Sequence, residues 1–319
     1  MRNTGIHHIS VLSSSAKEAY DFYHKILGMK LILNTVNQDD NSMIHLFFGD
    51  EGGQAGTEFT VFDMGKEFKV NQFGTNAIER TYFLLGSEDS LTYWEDRLES
   101  MGVCQYGIED YNGRKQLRFE DGDGQKLGFT YREDLDLSGL SPYQAPDIPS
   151  QHVIYGLAEV HFRVRYPEAT AEWLVDRFGF EAASQFVWQD KAVETYKFPG
   201  SVFGHDIHVI VDKTSPVQRL GSGGVHHIAF GVQNKADLQE LEDYLADRNK
   251  PNSGIVYREF FHSMYFREPN YLLFEVATPL DKDRDTFPAQ DKDYEDLDLD
   301  LPDFLEGKRQ AIEAGLNRS

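Results

Sequence analysis

Two histidine doublets are the residues of this sequence whose types and spacing best suit chemistry. His7-His8 lies in the segment GIHHISV, and His226-His227 lies in the near-copy GVHHIAF. A third apolar segment, YLLFEVA, carries Glu275 as its one charged residue. A carboxylate between such flanks is costly without a cationic partner, although a lone strand-end glutamate can also pair with an arginine. Two imidazoles and one carboxylate form the donor set of a 2-His-1-carboxylate metal site.

The alternation of side chains along a strand distinguishes the two histidines of each doublet. His8 and Ser10 share one face of the first segment, whereas His7 lies on the other face. In both copies a small residue stands two positions after the second histidine. This equivalence favours His8 and His227 as metal ligands. It also points His7 and His226 away from the site, so that a direct role for either one requires a twisted or bulged strand.

The segments around the doublets belong to a unit that occurs four times. Each unit begins with a strand, continues with an amphipathic helix and proceeds through further strands, which predicts a βαβββ module and an α+β fold. Gly28 and Gly179 end two of the helices at the same distance from the leading glycine of their units. The modules begin near residues 5, 76, 156 and 224.

The metal site constrains how the modules assemble. One ion can bind His8, His227 and Glu275 only if module one lies beside module four. We therefore predict two open, barrel-like sheets, with modules one and four paired around the metal and modules two and three paired with each other. Glu79 and Glu159 take the place of the first-strand histidine in modules two and three, which predicts salt-bridged residues and no second metal.

The chain length of 319 residues allows two domains. The intervening stretch rich in Asp, Ser and Pro is typical of a linker. The predicted division is an N-terminal domain at 1–132, a linker at 133–154, a C-terminal domain at 155–280 and an acidic tail with a short helix at 281–319.

The charge and the cysteine content limit the partners and the compartment. A formal net charge of −22 argues against nucleic acid and anionic membranes as partners. Apolar runs fall short of the roughly 18 residues of a membrane span. The single cysteine, Cys104, excludes an intramolecular disulfide. The first strand begins almost at Met1 and leaves no room for a signal peptide, which predicts a cytoplasmic protein.

The four modules with a first-strand histidine and a last-strand glutamate resemble the vicinal oxygen chelate superfamily, which includes glyoxalase I, bleomycin resistance proteins and extradiol dioxygenases. Within it, the N-terminal doublet, Val225–Ile228 and Phe274–Val276 are similar to the hydroquinone ring-cleaving dioxygenases. The tail segment LPDFLE at 301–306 is similar to tails of that group. One ligand from the first strand of the chain distinguishes this group from the catechol enzymes.

This resemblance implies Fe(II), or less often Mn(II), held by His8, His227 and Glu275. It implies a small aromatic substrate and O₂ as partners, and an Fe(II)-dependent opening of a hydroquinone-type or catechol-type ring. The oligomeric state stays open, with a homo-oligomer as one outcome. The residues that match catalytic positions of the family, or that lie beside them, are His226, Arg258, Tyr265, His7 and Ser10.

Two other functions are compatible with the same sequence. If Glu58 added a fourth ligand, the site would resemble the glyoxalase I type of lyase or isomerase, which uses Zn or Ni. A resistance protein would use the cleft only to bind an aromatic compound. His161, His205, His208 and His262 are a weak candidate for a second metal cluster, because His205 and His208 do not have the i, i+2 spacing of one strand face.

Overall fold

The computed structural model of the chain describes residues 1–258, 261–279 and 292–316. These residues form sixteen strands and six α-helices. Parts of the predicted acidic tail, at 281–291 and 317–319, lie outside the described residues, as does residue 280 at the predicted end of the C-terminal domain. Within the described residues, no helix is both long and apolar enough to cross a membrane.

Each module contributes four strands. The strands of module one are β1 Asn3–Ser13, β2 Lys30–Val36, β3 Ile44–Gly49 and β4 Glu58–Asp63. Those of module two are β5 Ala77–Leu85, β6 Gln105–Tyr111, β7 Arg114–Glu120 and β8 Lys126–Tyr131. Those of module three are β9 Gly156–Val164, β10 Glu181–Trp188, β11 Lys191–Lys197 and β12 Asp206–Val211. Those of module four are β13 Gly224–Val232, β14 Val256–Tyr257, β15 His262–Arg267 and β16 Leu273–Ala277.

One helix follows the first strand of each module. The α-helices are α1 Ala16–Tyr20, α2 Asp89–Ser100, α3 Pro167–Glu172, α4 Lys235–Asp247, α5 Asp303–Glu306 and α6 Arg309–Leu316. Helices α1 and α3 continue as π-helical turns at Asp21–Ile26 and Trp173–Arg177. N-cap residues explain where two of the helices begin. The side chain of Ser15 accepts a hydrogen bond from a backbone N–H of α1, and the side chain of Asn234 accepts hydrogen bonds from backbone N–H groups of α4.

The strands form two eight-stranded sheets. Sheet one has the order β14-β15-β16-β13-β1-β4-β3-β2, and sheet two has the order β10-β11-β12-β9-β5-β8-β7-β6. Modules one and four therefore share sheet one, and modules two and three share sheet two. The predicted α+β fold and its pairing of modules are confirmed.

The joint between modules one and four is the antiparallel pair β1–β13. Its register shifts between Ile6 and His8, where His7 is the extra residue of β1. It shifts again opposite Ser10 and Val11, where His226 is the extra residue of β13. Each doublet thus lies at a β-bulge, which re-aims neighbouring side chains. The bulged strand that a role for His7 or His226 requires is present in both copies.

The structure differs from the sequence-based prediction at two places in the strands. The strands β6 and β10 were not located in the sequence, because both are edge strands without the alternation of a half-buried strand. The residues of β10 are mostly exposed, and those of β6 are mostly partly buried. The equivalent of His8 in module two is Arg80, not Glu79. The pair Arg80–His161 occupies the register that His8–Ala229 occupies in sheet one, and Glu79 is the bulged residue.

The two sheets share one hydrophobic core that continues across their interface. Phe162 of sheet two and Phe274 of sheet one meet there, with ring centroids 5.8 Å apart. Phe178 stacks on Phe230 at 4.2 Å and extends the aromatic layer toward the helices. This layer fixes the sheet that carries the doublets against the sheet that does not.

We predict that Phe162→Ala lowers the free energy of unfolding by about 3–5 kcal/mol, because it leaves a cavity in this layer. Chemical denaturation followed by fluorescence measures the change. Val187→Ala, at a side chain that is 71% exposed, is the control and changes stability by less than about 0.5 kcal/mol. Equal effects of the two variants would contradict the shared core.

Candidate active site

The structure brings His8, His227 and Glu275 together at the centre of sheet one. His8 Nε2 lies 3.1 Å and His227 Nε2 lies 2.9 Å from Glu275 Oε2. The two Nε2 atoms are 3.3 Å apart. All three residues are buried, with Glu275 at 0% exposure. The three predicted ligands therefore converge on one point, and their role as ligands stays a prediction.

The donor set fits a divalent metal ion. Donors in adjacent octahedral positions, each about 2.1 Å from a common ion, are about 3 Å apart. The three separations in the structure are 3.3, 3.1 and 2.9 Å. The imidazole planes of His8 and His227 cross at 78°, so the two rings do not stack on each other. Two imidazoles and one carboxylate on one face are the ligands of a facial triad, which leaves positions open for substrate and O₂.

The charges around this point favour a bound cation. Burial alone would raise the pKa of Glu275, but His8 and His227 outweigh it and hold that pKa well below its usual range. Burial lowers the pKa of His227 and favours the neutral imidazole that a metal binds. Burial acts in the same direction on His8, where the Glu275 carboxylate outweighs it and raises the pKa. The ionised carboxylate thus attracts a positive charge to the position between the rings.

The first histidine of each doublet supports the second. His7 Nδ1 lies 3.0 Å from His8 Nδ1, and His226 Nδ1 lies 2.8 Å from His227 Nδ1. Burial lowers the pKa of both His7 and His226 to about 3, so both rings are neutral. If Nε2 of each ligand faces a metal, its Nδ1–H donates to the neighbouring histidine. Such contacts orient metal-bound imidazoles.

The two supporting histidines differ in what lies beyond them. His7 Nε2 is 3.2 Å from the backbone carbonyl of Thr278, and the ring is enclosed behind His8. His226 lines the cavity next to the triad, and none of the residues described hydrogen-bonds its Nε2. The geometry therefore favours a positioning role for His7 and contact with a ligand for His226.

A cavity of about 330 Å³ opens in front of the three donors. This volume lies at the lower end of ligand pockets and suits a single aromatic ring. Tyr265 forms one wall, where it is the cross-strand neighbour of Glu275 and its ring lies 5.6 Å from the ring of His227. Burial, followed by the Glu275 carboxylate, raises the pKa of Tyr265, so its hydroxyl stays protonated.

Arg258 closes the same side of the cavity with help from module one. Its guanidinium lies 5.6 Å from the centre of the Tyr265 ring. The two terminal nitrogens donate to the carboxylate of Asp39 at 3.1 and 2.9 Å. Gln38 Nε2 donates to the Arg258 carbonyl at 3.0 Å. The loop after β2, which also lines the cavity, therefore holds Arg258 in place.

Further lining of the cavity comes from Ser10 of β1, a predicted site residue, and from β3 and β4, for which no functional role was predicted. Ser10 lines the cavity and shares a hydrogen bond of 2.7 Å with Thr60, whose hydroxyl also lies 3.0 Å from His45 Nε2. Phe62 packs against His45 and His226. The alternation of His45 and Phe47 on β3 was the available signal, since both side chains line the cavity.

Glu58, the candidate fourth ligand, belongs to a different cluster. Its Oε2 lies 3.7 Å from His7 Nδ1, and it groups with His7 and His8. It does not join the group formed by His8, His227 and Glu275. This arrangement gives no support to a four-ligand site of the glyoxalase I type.

Sheet two carries a related cluster that is already neutralised. Glu159, His161 and His208 gather there, and His161 Nε2 bonds to Glu159. Arg114 donates to Glu159 Oε2 at 2.8 Å and Gln116 donates to Glu159 Oε1 at 3.0 Å. Burial opposes ionisation of Glu159, but the surrounding histidines and Arg114 hold its pKa below the usual range. Protein donors thus occupy the carboxylate that a metal would need.

His205 and His262 of the weak second cluster do not join this group, and Glu79 is a salt-bridged residue as predicted. His205 is not part of the group, and its Nδ1 accepts from the backbone of Ile6 at 3.0 Å. Glu79 pairs with Lys126 at 3.0 Å and with Arg163 at 2.9 Å. The i, i+2 pair Glu159 and His161 on β9 was the signal for the cluster that does form.

Comparison with known proteins identifies relatives over almost the whole chain. Residues 5–129 match the family model of the Glyoxalase/Bleomycin resistance protein/Dioxygenase superfamily. The chain is 37% identical over 320 residues to the provisionally named ring-cleaving dioxygenase MhqA of Bacillus subtilis (strain 168), with 99% of each chain covered. It is 26% identical over 300 residues to the chlorohydroquinone/hydroquinone 1,2-dioxygenase of Sphingobium indicum, covering 91% of this chain and 89% of that protein.

A solved structure is also similar over the full length. The crystal structure of a provisionally assigned dioxygenase from Bacillus subtilis superposes with a TM-score of 0.85 at 28% identity. The match covers 99% of this chain and 97% of the other. The arrangement of two half-barrel sheets is therefore shared with a dioxygenase-like relative.

We predict that His227→Ala abolishes metal binding while the fold is retained. The wild-type protein should hold about one divalent ion per chain and the variant almost none, because two donors cannot hold the ion in a facial site. Elemental analysis after dialysis measures the metal, and circular dichroism checks the fold. His208→Ala, in the cluster of sheet two, is the matched control and should keep the wild-type metal content. Loss of metal in His208→Ala, with metal retained in His227→Ala, would show that the metal site lies in sheet two and would contradict the prediction.

The support of His8 by His7 gives a second test. His7→Phe keeps the volume of the ring but removes the Nδ1 acceptor, so metal affinity should fall by roughly 10- to 100-fold. Competition with a fluorescent chelator measures the dissociation constant. An unchanged dissociation constant would show that His7 does not orient the ligand.

Proposed function

This chain belongs to the Glyoxalase/Bleomycin resistance protein/Dioxygenase superfamily and is a ring-cleaving dioxygenase within it, and we propose that it opens hydroquinone-type rings with O₂ at an Fe(II) site. In this proposal His8, His227 and Glu275 hold the ion, with Mn(II) as the alternative metal. The substrate is a small aromatic compound with at least one phenolic hydroxyl. One molecule of O₂ is consumed for each ring opened, and both oxygen atoms enter the product.

The observation that carries the proposal is the convergence of three buried donors at the end of a ring-sized cavity. The donor atoms lie within 3.3 Å of one another, beside a cavity of about 330 Å³. A relative that covers most of the chain is named for chlorohydroquinone and hydroquinone. The metal donor set and the volume of the cavity are separate observations, and both support a reaction on a small aromatic ring.

Iron in this site would supply a Lewis acid for the phenolic oxygen and a redox centre that couples the ring to O₂. The surrounding side chains then have defined tasks. Tyr265 keeps its proton because burial raises its pKa, so its hydroxyl donates a hydrogen bond to an oxygen that gains negative charge. Arg258 adds a fixed positive charge, and Asp39 keeps its guanidinium directed along the cavity wall.

The tautomer of His226 follows from the hydrogen bond to its neighbour. If a metal is bound at Nε2 of His227, this ring carries its proton on Nδ1 and donates a hydrogen bond of 2.8 Å to His226 Nδ1. Neutral His226 then carries its own proton on Nε2, at the cavity wall. We assign it the role of proton donor to a product oxygen. His7 makes the same contact with His8, but its Nε2 faces a carbonyl, so we assign it only a positioning role.

Two further expectations stay predictions. They are a cytoplasmic location and an oligomeric state that stays open, with a homo-oligomer as one outcome. Neither affects the chemistry proposed for the cavity.

We predict that the anaerobically Fe(II)-loaded protein consumes about one O₂ per hydroquinone or alkyl- or chloro-substituted hydroquinone. An oxygen electrode measures uptake, and mass spectrometry after reaction with ¹⁸O₂ checks that the product carries both atoms. A protein that binds iron but consumes no O₂ with any of these compounds would contradict the proposed function. Turnover of a ketoaldehyde–thiol adduct without O₂ would instead favour a glyoxalase activity.

Tyr265 provides a test of the proposed donor. Tyr265→Phe should lower kcat with hydroquinone by about 100-fold, with a smaller change in KM, because the lost hydrogen bond acts mainly in the transition state. Tyr271→Phe, at a side chain that is 73% exposed, is the control and should keep the wild-type kcat. A fall in metal content that parallels the fall in kcat would assign Tyr265 to metal retention instead.

A further inference from the structure

The wall of the cavity formed by β2 and β3 carries a polar pair that the proposed reaction does not use. Thr35 and His45 are direct cross-strand partners, and both line the cavity. Neither of them hydrogen-bonds a residue of the metal triad. The polar groups of this wall are therefore available to a ligand.

The ring of His45 is fixed by its neighbours. Its Nε2 lies 3.0 Å from Thr60 Oγ1, which in turn shares a hydrogen bond of 2.7 Å with Ser10. The ring packs against Phe62 at 4.0 Å and against Phe47 at 4.1 Å. With Nε2 engaged, Nδ1 is the remaining polar atom, and no hydrogen bond joins it to a described residue. A neutral imidazole presents there either a donor or an acceptor.

Thr35 supplies the second group. Its side chain is 4% exposed, and its hydroxyl is buried without a hydrogen-bond partner in the part of the chain that the structure describes. A buried hydroxyl without a partner costs free energy, and most such groups in proteins are bonded. A polar atom on a ligand beside His45 would satisfy it.

The position of the pair relative to the metal triad determines which ligand atom it can meet. In sheet one, β4 lies between β1, which carries His8, and β3, which carries His45, and Thr35 lies one strand further out on β2. Because neighbouring strands are about 4.8 Å apart, the strands of His8 and His45 are roughly 10 Å apart, which leaves room for one aromatic ring and its two oxygens. A ligand whose first oxygen binds at the triad can reach the pair only with a second oxygen on the far side of its ring.

We propose that Thr35 and His45 form a binding site for the distal oxygen of a 1,4-dihydroxy aromatic substrate. This inference rests on the proposed function, because it assumes that the first oxygen binds at the triad. A 1,4-diol cannot chelate one ion with both oxygens, so its second hydroxyl needs a partner elsewhere. A 1,2-diol places both oxygens at the ion and turns carbon–hydrogen edges toward Thr35 and His45. The pair would therefore select hydroquinones over catechols.

The test measures binding separately from turnover. Zn(II)-loaded protein is titrated without O₂ with hydroquinone, phenol and catechol in a calorimeter. Wild-type protein should bind hydroquinone more tightly than phenol. Thr35→Val and His45→Phe should each weaken hydroquinone binding by roughly 10-fold and change phenol and catechol binding by less than about 2-fold, because only hydroquinone has the distal oxygen.

Two controls separate a lost hydrogen bond from altered folding. Thr35→Ser keeps the hydroxyl and should restore hydroquinone binding. Thr81→Val removes a buried hydroxyl without a described partner in sheet two and should leave all three affinities unchanged. Equal weakening of hydroquinone and phenol, or a wild-type protein that does not distinguish them, would overturn the proposal.

The outcomes also separate this inference from the proposed function. If the Fe(II)-loaded wild-type protein consumes no O₂ while the binding preference for hydroquinone is lost in Thr35→Val, the ring-cleavage proposal fails and the distal site stands. If O₂ uptake with hydroquinone is normal and Thr35→Val and His45→Phe keep wild-type affinity, the distal site fails and the ring-cleavage proposal stands.

Discussion

The antiparallel pair β1–β13 is the constraint on which the site depends. It joins the first strand of the chain to the first strand of the last module, and it carries both histidine doublets. The bulges at His7 and His226 allow each doublet to direct two neighbouring rings to one side of the sheet. The parallel neighbour β16 then places Glu275 beside Ala229, one pleat from His227. Without this pair, three buried polar residues would lack the partner that makes their burial acceptable.

The sequence was sufficient to predict the modules and the residues that converge. The repeated doublet, the equivalent glycines and the lone charge of the last strand led to His8, His227 and Glu275, and the requirement for one shared site led to the pairing of modules one and four. The bulges could not be predicted, since they depend on cross-strand register and not on local composition. The edge strands β6 and β10 were missed because neither has one fully buried face that alternates with an exposed one.

The other residues that line the cavity could not be predicted either, because they come together only through contacts between distant strands. His45 and Thr35 are ordinary strand residues in the sequence. Only the assembly of sheet one places these two residues around the same cavity as the triad. Asp39 lies in a polar loop, and its bond to Arg258 joins segments more than two hundred residues apart. Contacts of this range follow from topology, which a pattern of local periodicity does not contain.

The two sheets show how the same framework can hold a site or a neutral network. In sheet one the equivalent positions of two first strands carry imidazoles around a carboxylate with few other donors. In sheet two Arg80 replaces the first histidine and Glu159 replaces the second, so that arginine and glutamine side chains can satisfy the charge. The difference between the sheets lies in a few side chains at matching register, while the backbone arrangement is retained.

One metal ion held by three residues from the first and last modules would join the two ends of the chain. Anomalous diffraction at the iron absorption edge, from crystals grown anaerobically with Fe(II), locates such an ion. We expect a single strong peak bonded to His8 Nε2, His227 Nε2 and a carboxylate oxygen of Glu275. A peak at Glu159, His161 and His208, or an ion that also binds Glu58, would contradict it.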